Sequence, residues 1–334
     1  MKRVLVIGGT RNLGHLLCLA LLEQGWDTTI LNRGLTPDEL PGDITRFRAD
    51  RQDAGQLKSA LHGKTFDAVV DTTLYNGKDA QLTVDLLHGQ TGLYVFLSSG
   101  QVYLVRTGVE RPFKEEDYRG TVMPPPTADP SDYRNWKYGV EKREVEDVLD
   151  EAWAASRFPC LSLRLPMVNS ERDHYHRLYG YLLRIWDGGP ILVPDGPHLS
   201  LRHVYGGDVV ALIIRLIGHP VGVGNAWNVG QDETVTLEQF LPLLRDLDGG
   251  RLNIRKIAPE VLKKAELIPA CSPFSDPWMS ELDNRKSKQE LGARYTPLGV
   301  YLEKLVRHYR SMPRTVPPGY ARREEELKLA ENYS

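Results

Sequence analysis

Tyr138 and Lys142 stand at i and i+4 in a stretch with helical patterning, so a helix stacks them on one face. About forty residues earlier an apolar run, Tyr94, Val95, Phe96 and Leu97, ends in two adjacent hydroxyls, Ser98 and Ser99. Phenol, amine and hydroxyl together make a proton-transfer set. A free phenol titrates near 10, too high for a good base at neutral pH. A neighbouring ammonium stabilises the phenolate and draws that value toward the working range. In this reading Ser99 holds and orients a substrate oxygen, Tyr138 moves the proton, and Lys142 acidifies the phenol. A tyrosine four residues before a lysine is common by chance, so the reading needs a redox partner nearby.

The N-terminus supplies a site for one. Val4, Leu5, Val6 and Ile7 run into Gly8, Gly9, Thr10, Arg11, Asn12, Leu13 and Gly14, and an amphipathic stretch over 13–24 follows. Glycine permits a tight turn and close backbone approach to a pyrophosphate, and the free N–H groups at a helix start favour an anion. The end of the second strand selects the dinucleotide. A carboxylate there receives the ribose hydroxyls of NAD, whereas an arginine suits a 2′-phosphate. Thr28, Thr29, Ile30 and Leu31 end in Asn32, Arg33 and Gly34, with no carboxylate, and Arg33 offers a planar donor fork. Arg11 can approach the same phosphate from the glycine turn. NADP(H) is therefore the preferred cofactor, with NAD(H) as the alternative. Asp50 suits the adenine amino group and Arg51 beside it is a further cofactor candidate, although a turn or capping role competes for Asp50, with Asp53 close behind as another cap candidate. Thr72 and Thr73 close the fourth strand along the cofactor's path, and Lys142 also suits the nicotinamide ribose.

These residues need elements to hold them. Short β-branched runs at 3–7, 28–32, 46–49, 68–71, 93–97 and 160–165 alternate with helical patterns at 13–24, 54–61, 78–87 and 133–155. That alternation predicts an α/β unit, a doubly wound parallel sheet covered by helices. The proline-bearing gaps 35–44 and 106–130 read as functional loops. Beyond 165 the pattern is irregular, with helices expected near 174–186, 207–217, 237–247, 259–265, 280–291 and 298–309, and strands near 191–193 and 226–229. The expected organisation is a dinucleotide-binding domain over 1–165, to which parts of 200–230 return, a smaller mixed substrate lobe over 166–311, and a peripheral tail over 312–334 without chemistry.

Composition narrows the class. Among 334 residues, 42 are basic and 44 acidic, a formal charge of 42 − 44 = −2, so no basic excess points to nucleic acid. With 41% hydrophobic and 26% charged residues, wholesale disorder is excluded. Cys18, Cys160 and Cys271 are too few and too scattered for a disulfide framework or a zinc site and read as buried, reduced thiols. No metal site is expected. No apolar run is long enough for a membrane span and the N-terminus shows no signal-peptide core, so a cytoplasmic location without membrane partners is expected.

With Gly8 to Gly14, Asp50, Ser98 and Ser99 followed by Val102 and Tyr103, the Tyr138/Lys142 pair, Arg164, Leu165 and Pro166, and the stretch 202–210, the chain resembles the extended short-chain dehydrogenase/reductase family, the NAD(P)-dependent epimerase/dehydratase group, over roughly 1–310. The glycine turn and Asn32-Arg33-Gly34 look most like a subgroup of reductase-like proteins and chloroplast stem-loop-binding proteins. The resemblance implies a Rossmann-like domain, a C-terminal substrate lobe and a homodimer. It implies that Ser99 orients substrate, that Tyr138 is the acid/base, that Lys142 assists it, and that Ser98 and Pro166 border the cofactor. Two departures stand out. Arg11 replaces the middle glycine of the turn. Leu201, with Arg202 one step away, stands where nucleotide-sugar members carry an arginine.

The first functional reading is an epimerase, dehydratase or reductase acting at a carbinol or carbonyl carbon of a sugar-like or nucleotide-sugar small molecule. Tyr103, Asn169, His174, His176, Arg177, Arg184 and Arg202 are candidate substrate contacts, the histidines being no metal ligands. Two alternatives are a non-catalytic dinucleotide-binding or RNA-associated protein, and an NADPH-dependent ketone reductase of secondary metabolism. Glu115, Glu116 and Asp117 read as a solvated charge run.

Overall fold

Most of the early strands are apolar along their length, as strands covered on both faces must be. In the computed structural model, which describes residues 1–197 and 199–333, they assemble into one parallel sheet. His198, within the expected second lobe, and Ser334, the last tail residue, lie outside the described residues. The order is β1 (Arg3–Ile7), α1 (Asn12–Glu23), β2 (Asp27–Asn32), β3 (Thr45–Arg48), α2 (Ala54–Leu61), β4 (Ala68–Asp71), α3 (Gly77–Leu87), β5 (Tyr94–Ser99), α4 (Gln101–Leu104), α5 (Pro130–Ser156) and β6 (Cys160–Leu165). Then come β7 (Val168–Asn169), α6 (Arg177–Trp186), β8 (Ile191–Pro194), β9 (Val204–Tyr205), α7 (Gly206–Gly218) and β10 (Ala226–Asn228). The chain closes with α8 (Leu237–Asp248), β11 (Ile254–Ile257), α9 (Pro259–Lys264), α10 (Arg285–Glu290), α11 (Leu298–Ser311) and α12 (Arg323–Glu331).

Strand order in the main sheet is β10-β6-β5-β4-β1-β2-β3. From β1 the chain winds first toward β3 and then back through β4 to β10. The carboxyl ends of β1 and β4 therefore flank a topological switch point, where open α/β sheets bind ligands. α1 and α7 cover one face through Leu13, Leu17, Val209 and Ile213; α2, α3 and α5 cover the other through Leu57, Val84, Val145 and Leu149. This is the expected α/β, Rossmann-like architecture. α6, α8 and α11, with Phe274, bury a separate core around Tyr179, Leu182, Phe240, Tyr301 and Leu305.

Three expectations shift. The helix expected over 280–291 is confined to Arg285–Glu290, because the preceding residues run extended beside Phe113, whose N–H donates to Glu281 O and whose carbonyl accepts from Asp283 N, both at 2.8 Å. The helix expected from 174 begins at Arg177: the Asp173 carboxylate accepts from the N–H groups of Tyr175 and Arg177, each at 3.1 Å, while His176 takes φ +53°. The tail carries α12, docked on the lobe. Arg323 and Glu326 are both buried there, Arg323 holds Asp187, and Arg184 holds Glu326, so the charged stretch is spent on packing. All three cysteines are free and buried. Among the described residues no helix is long and apolar enough to cross a membrane, and no cluster of His, Cys, Asp and Glu is suited to a metal.

Candidate active site

A cleft of about 580 Å³ opens along the carboxyl ends of β1, β2, β4 and β5. Its floor begins at the glycine turn. Gly8 and Gly9 take φ +107° and +87°, conformations L side chains rarely adopt. A Cβ on Gly14 would sit 2.8 Å from Gly9 N, so the turn has no room for one. α1 starts just beyond with Arg11 as its N-cap residue, whose side chain makes no capping hydrogen bond to the first N–H groups. The helix start is thus left open toward the cleft, with the macrodipole favouring an anion. These features fit a dinucleotide pyrophosphate.

Gly8, Gly9, Thr10, Arg11, Asn12, Leu13, Gly14, Asn32, Arg33, Asp50, Arg51, Thr72, Thr73, Ser98, Ser99, Tyr138, Lys142, Pro166 and His174 all line this cleft. Several are fixed by the frame. The Thr72 hydroxyl donates to Ile7 O at 3.0 Å, and Asn12 accepts from Ser170 Oγ at 2.7 Å. Asn32 accepts from Gly34 N at 2.8 Å and from Arg48. Arg11 reaches Thr36 Oγ1 at 3.3 Å. Asp50 accepts from Gln52 N at 3.0 Å with one oxygen, while the capping of α2 falls to Asp53, which accepts from Gln56 N. Arg51 turns inward. It pairs with Asp71 at 2.8 Å and donates to Thr83 at 3.1 Å, and its Nε has no partner among the described residues.

At the other end, Tyr138 and Lys142 project from α5 beside Ser99. Lys142 is 2% exposed and pairs with no carboxylate among the described residues; its ammonium donates to Leu74 O at 2.8 Å and Leu97 O at 3.0 Å. It also lies 4.6 Å from the Phe96 ring centre, 4.9 Å from Tyr75 and 5.8 Å from Tyr138. Burial pushes this amine down to about 7, opposed chiefly by Asp71. Burial also raises the Tyr138 phenol, while a hydrogen bond with Ser99 lowers it. The arrangement can hold a substrate oxygen between Ser99 and Tyr138, with a cation behind the ring to stabilise the phenolate.

The substrate candidates fare differently, since His174 alone among them lines the cleft. Tyr103 is fully buried, accepting from Arg164 at 2.6 Å and donating to Asn228 at 2.7 Å. Asn169 is buried against His203, its Nδ2 3.0 Å from His203 Nδ1. Arg177 pairs with Asp173 and covers the Tyr175 ring, and His176 abuts the edge of Tyr179. Arg202 donates to Gln231 O at 2.9 Å and Asn284 Oδ1 at 3.2 Å. Arg184 is wholly buried against Glu326. Most of these polar groups found partners as the core closed around them, whereas His176 Nδ1 and His203 Nε2 have none among the described residues. Glu115 likewise leaves the expected solvated run: it accepts from Asn228 N at 2.9 Å, and burial raises its carboxyl. Sequence reasoning missed Tyr75, which covers Lys142, and Glu146, which continues the Tyr138–Lys142 spacing by one more turn and could have been found from that.

A family model, the NAD dependent epimerase/dehydratase family, matches residues 4–230. The chloroplast stem-loop binding protein of 41 kDa b of Arabidopsis thaliana is 27% identical over 257 residues, 71% of this chain and 61% of that protein. The 2′-dehydrokanamycin reductase of Streptomyces kanamyceticus is 28% identical over 166 residues, 50% of this chain and 43% of that protein. The matched stretches thus span less than two thirds of these curated relatives. Among solved structures, the UDP-glucose 4-epimerase of Thermotoga maritima with UDP-glucose superposes with a TM-score of 0.70 at 17% identity, covering 92% of this chain and 98% of that one. At that identity the likeness shows the fold.

Proposed function

The chain belongs to the NAD dependent epimerase/dehydratase family, and on that premise we propose that it is an NADP(H)-linked enzyme acting at a carbinol or carbonyl carbon of a sugar-like substrate. The observation carrying this is the meeting of Ser99, Tyr138 and Lys142 with the glycine turn in one cleft. Gly8 to Gly14 would hold the pyrophosphate, Asp50 the adenine, Arg33 and Arg11 a 2′-phosphate, and Lys142 the nicotinamide ribose. When bound, the nicotinamide supplies the hydride acceptor or donor. Ser99 orients the substrate oxygen by hydrogen bonding, and Tyr138 gives or takes that oxygen's proton. The Lys142 ammonium, a few ångströms from the ring, stabilises the phenolate through a medium with little screening. Thr72, Thr73, Ser98 and Pro166 border the bound groups and exclude water.

The name of the kanamycin-acting relative supports reduction of a keto group on a sugar-like ring. A nucleotide diphosphate is less well provided for, because Leu201 is apolar and Arg202 is already bonded. Fluorescence titration with NADPH and NADH, followed by a panel of keto sugars, nucleotide sugars and simple ketones, tests the reading. Absence of binding to either cofactor refutes it. NADPH consumption marks a reductase, and redox-neutral conversion with catalytic cofactor marks an epimerase or dehydratase. The stem-loop-binding relative motivates one competing reading, RNA association. A salt-dependent shift of labelled RNA at sub-micromolar protein would favour it. We extend the main reading to a homodimer, measured by sedimentation.

A further inference from the structure

Tyr138, Lys142 and Glu146 recur every fourth residue of α5 and form one stripe along the helix. The first two face the cleft, and the third has no role in the chemistry above. Glu146 is 1% exposed. Arg164 of β6 grips both of its oxygens, Nε at 3.0 and 3.1 Å and Nη2 at 2.5 Å. The same carboxylate accepts from Ser98 Oγ, the hydroxyl next to Ser99 at the end of β5. Arg164 goes on to the Tyr103 hydroxyl, which donates to Asn228 of β10. One buried point thus ties α5 to three strands. A buried ion pair is a poor source of stability, since desolvating two charges cancels most of their attraction and an apolar pair often does as well. Its placement one turn below Lys142 calls for another explanation.

We propose that Glu146 is a positioning residue for the Tyr138–Lys142 pair: through Ser98 it sets α5 against the strand end that presents Ser99, and its negative charge supports the Lys142 ammonium. This rests on the roles proposed above for Tyr138 and Lys142. Lys142 is faced by Asp71 from β4, by Arg51 from the loop after β3, by the rings of Tyr75, Phe96 and Tyr138, and by Glu146 on its own helix. Asp71 and Glu146 favour the ammonium; burial and Arg51 oppose it. Asp71 is itself engaged by Arg51 and Tyr94, and Glu146 by Arg164 and Ser98, so each carboxylate acts on Lys142 from a fixed seat. Around Glu146 stand Arg164, Ser98, Tyr103, Tyr118 and Asp150, and around Tyr138 stand Ser99, Tyr75 and Tyr175.

The test titrates the full chain labelled with ¹³C at lysine Cε, the Lys142 signal being identified by its loss in Lys142→Arg. Glu146→Gln keeps the shape and removes the charge, and should lower the Lys142 midpoint by about one pH unit. The paired variant Glu146→Gln/Arg164→Gln leaves no buried charge without a counter-charge; it should lower the midpoint too, and it decides the matter if the single variant does not fold. A role confined to stability would change the melting temperature and leave the Lys142 midpoint where it was. An unmoved midpoint in a folded variant overturns the proposal. The titration needs no cofactor, so failure to bind NADPH would sink the cofactor reading separately.

Discussion

Lys142 and Arg184 are both buried cations, 2% and 0% exposed, and the molecule treats them in opposite ways. Arg184, in the lobe, has a full set of partners: Glu326 against Nε and Nη2, Gly180 O at 2.8 Å and Gly319 O at 2.9 Å. Lys142, in the cleft, has two carbonyls and three aromatic rings but, among the described residues, no paired carboxylate. A charge cancelled where it sits stabilises a packing arrangement. A charge left short of counter-charge attracts an anion that forms beside it, which in the proposed mechanism is the phenolate of Tyr138. The lobe thus cancels its buried charge where it sits, and the cleft leaves one that the proposed proton transfer would use.

Three substitutions break this contrast. The largest effect should come from Tyr138→Phe, which removes the proton-transfer group: turnover should fall by about 10²–10⁴-fold while NADPH affinity stays within about twofold. Full activity in that variant would end the proposed mechanism. Next, Glu326→Ala strands Arg184 inside the lobe and should cost about 3–5 kcal/mol in denaturant unfolding, with cofactor affinity unchanged while the chain is folded. A loss below about 1 kcal/mol would show that water or a shifted carbonyl replaces the carboxylate. Third, Lys142→Met should abolish or cripple turnover and yet stabilise the fold by roughly 1–4 kcal/mol. The sign follows from linkage. The amine titrates at about 7 in the folded chain, below its unfolded value, so the unfolded state holds more protons between the two. Wild-type stability therefore rises as pH climbs from about 7 toward about 10.5, and the advantage of Lys142→Met is complete below pH 7 and gone above that upper limit. Melting curves across this range check it.

The same contrast explains what the sequence disclosed. The parallel sheet was legible because β1, β4 and β5 are short apolar runs bounded by turns, and such runs have few alternatives. That Gly8, Gly9, Ser99, Tyr138 and Lys142 meet in one cleft was legible because turn clearance, strand ends and helical spacing are local properties. Tyr103, Asn169, Arg177 and Arg202 were not. Polar residues resemble substrate ligands until tertiary packing shows which neighbours have taken their hydrogen bonds, and for these four the partners lie in Asn228, His203, Asp173 and Gln231. The tail was obscure for the same reason. Arg323 and Glu326 belong to the tail expected to be peripheral, and only the folded lobe brings Asp187 and Arg184 to them. Long-range pairing leaves no local pattern.

The smallest effect sharpens the comparison within the cleft itself, between its two ends. At the end proposed for the nicotinamide the cation is buried and fixed; at the end proposed for the adenosine Arg33 and Arg11 are exposed, and Arg11 reaches Thr36. Exposed arginines lose most of their attraction to water and salt, so each can add only modestly to the binding of a 2′-phosphate. Arg33→Ser should weaken NADPH by about tenfold and leave NADH within about twofold, because only the former carries the phosphate that the guanidinium fork would clasp. The NADPH loss should shrink as salt rises, whereas the NADH value should hardly move. Fluorescence titrations of both cofactors at low and high salt read all four numbers. Equal losses for NADPH and NADH would mean that Arg33 supports the turn rather than the phosphate. The proposed preference for NADP(H) would then rest on Arg11, whose place in the turn proposed for the pyrophosphate would make it a poor discriminator between the two dinucleotides.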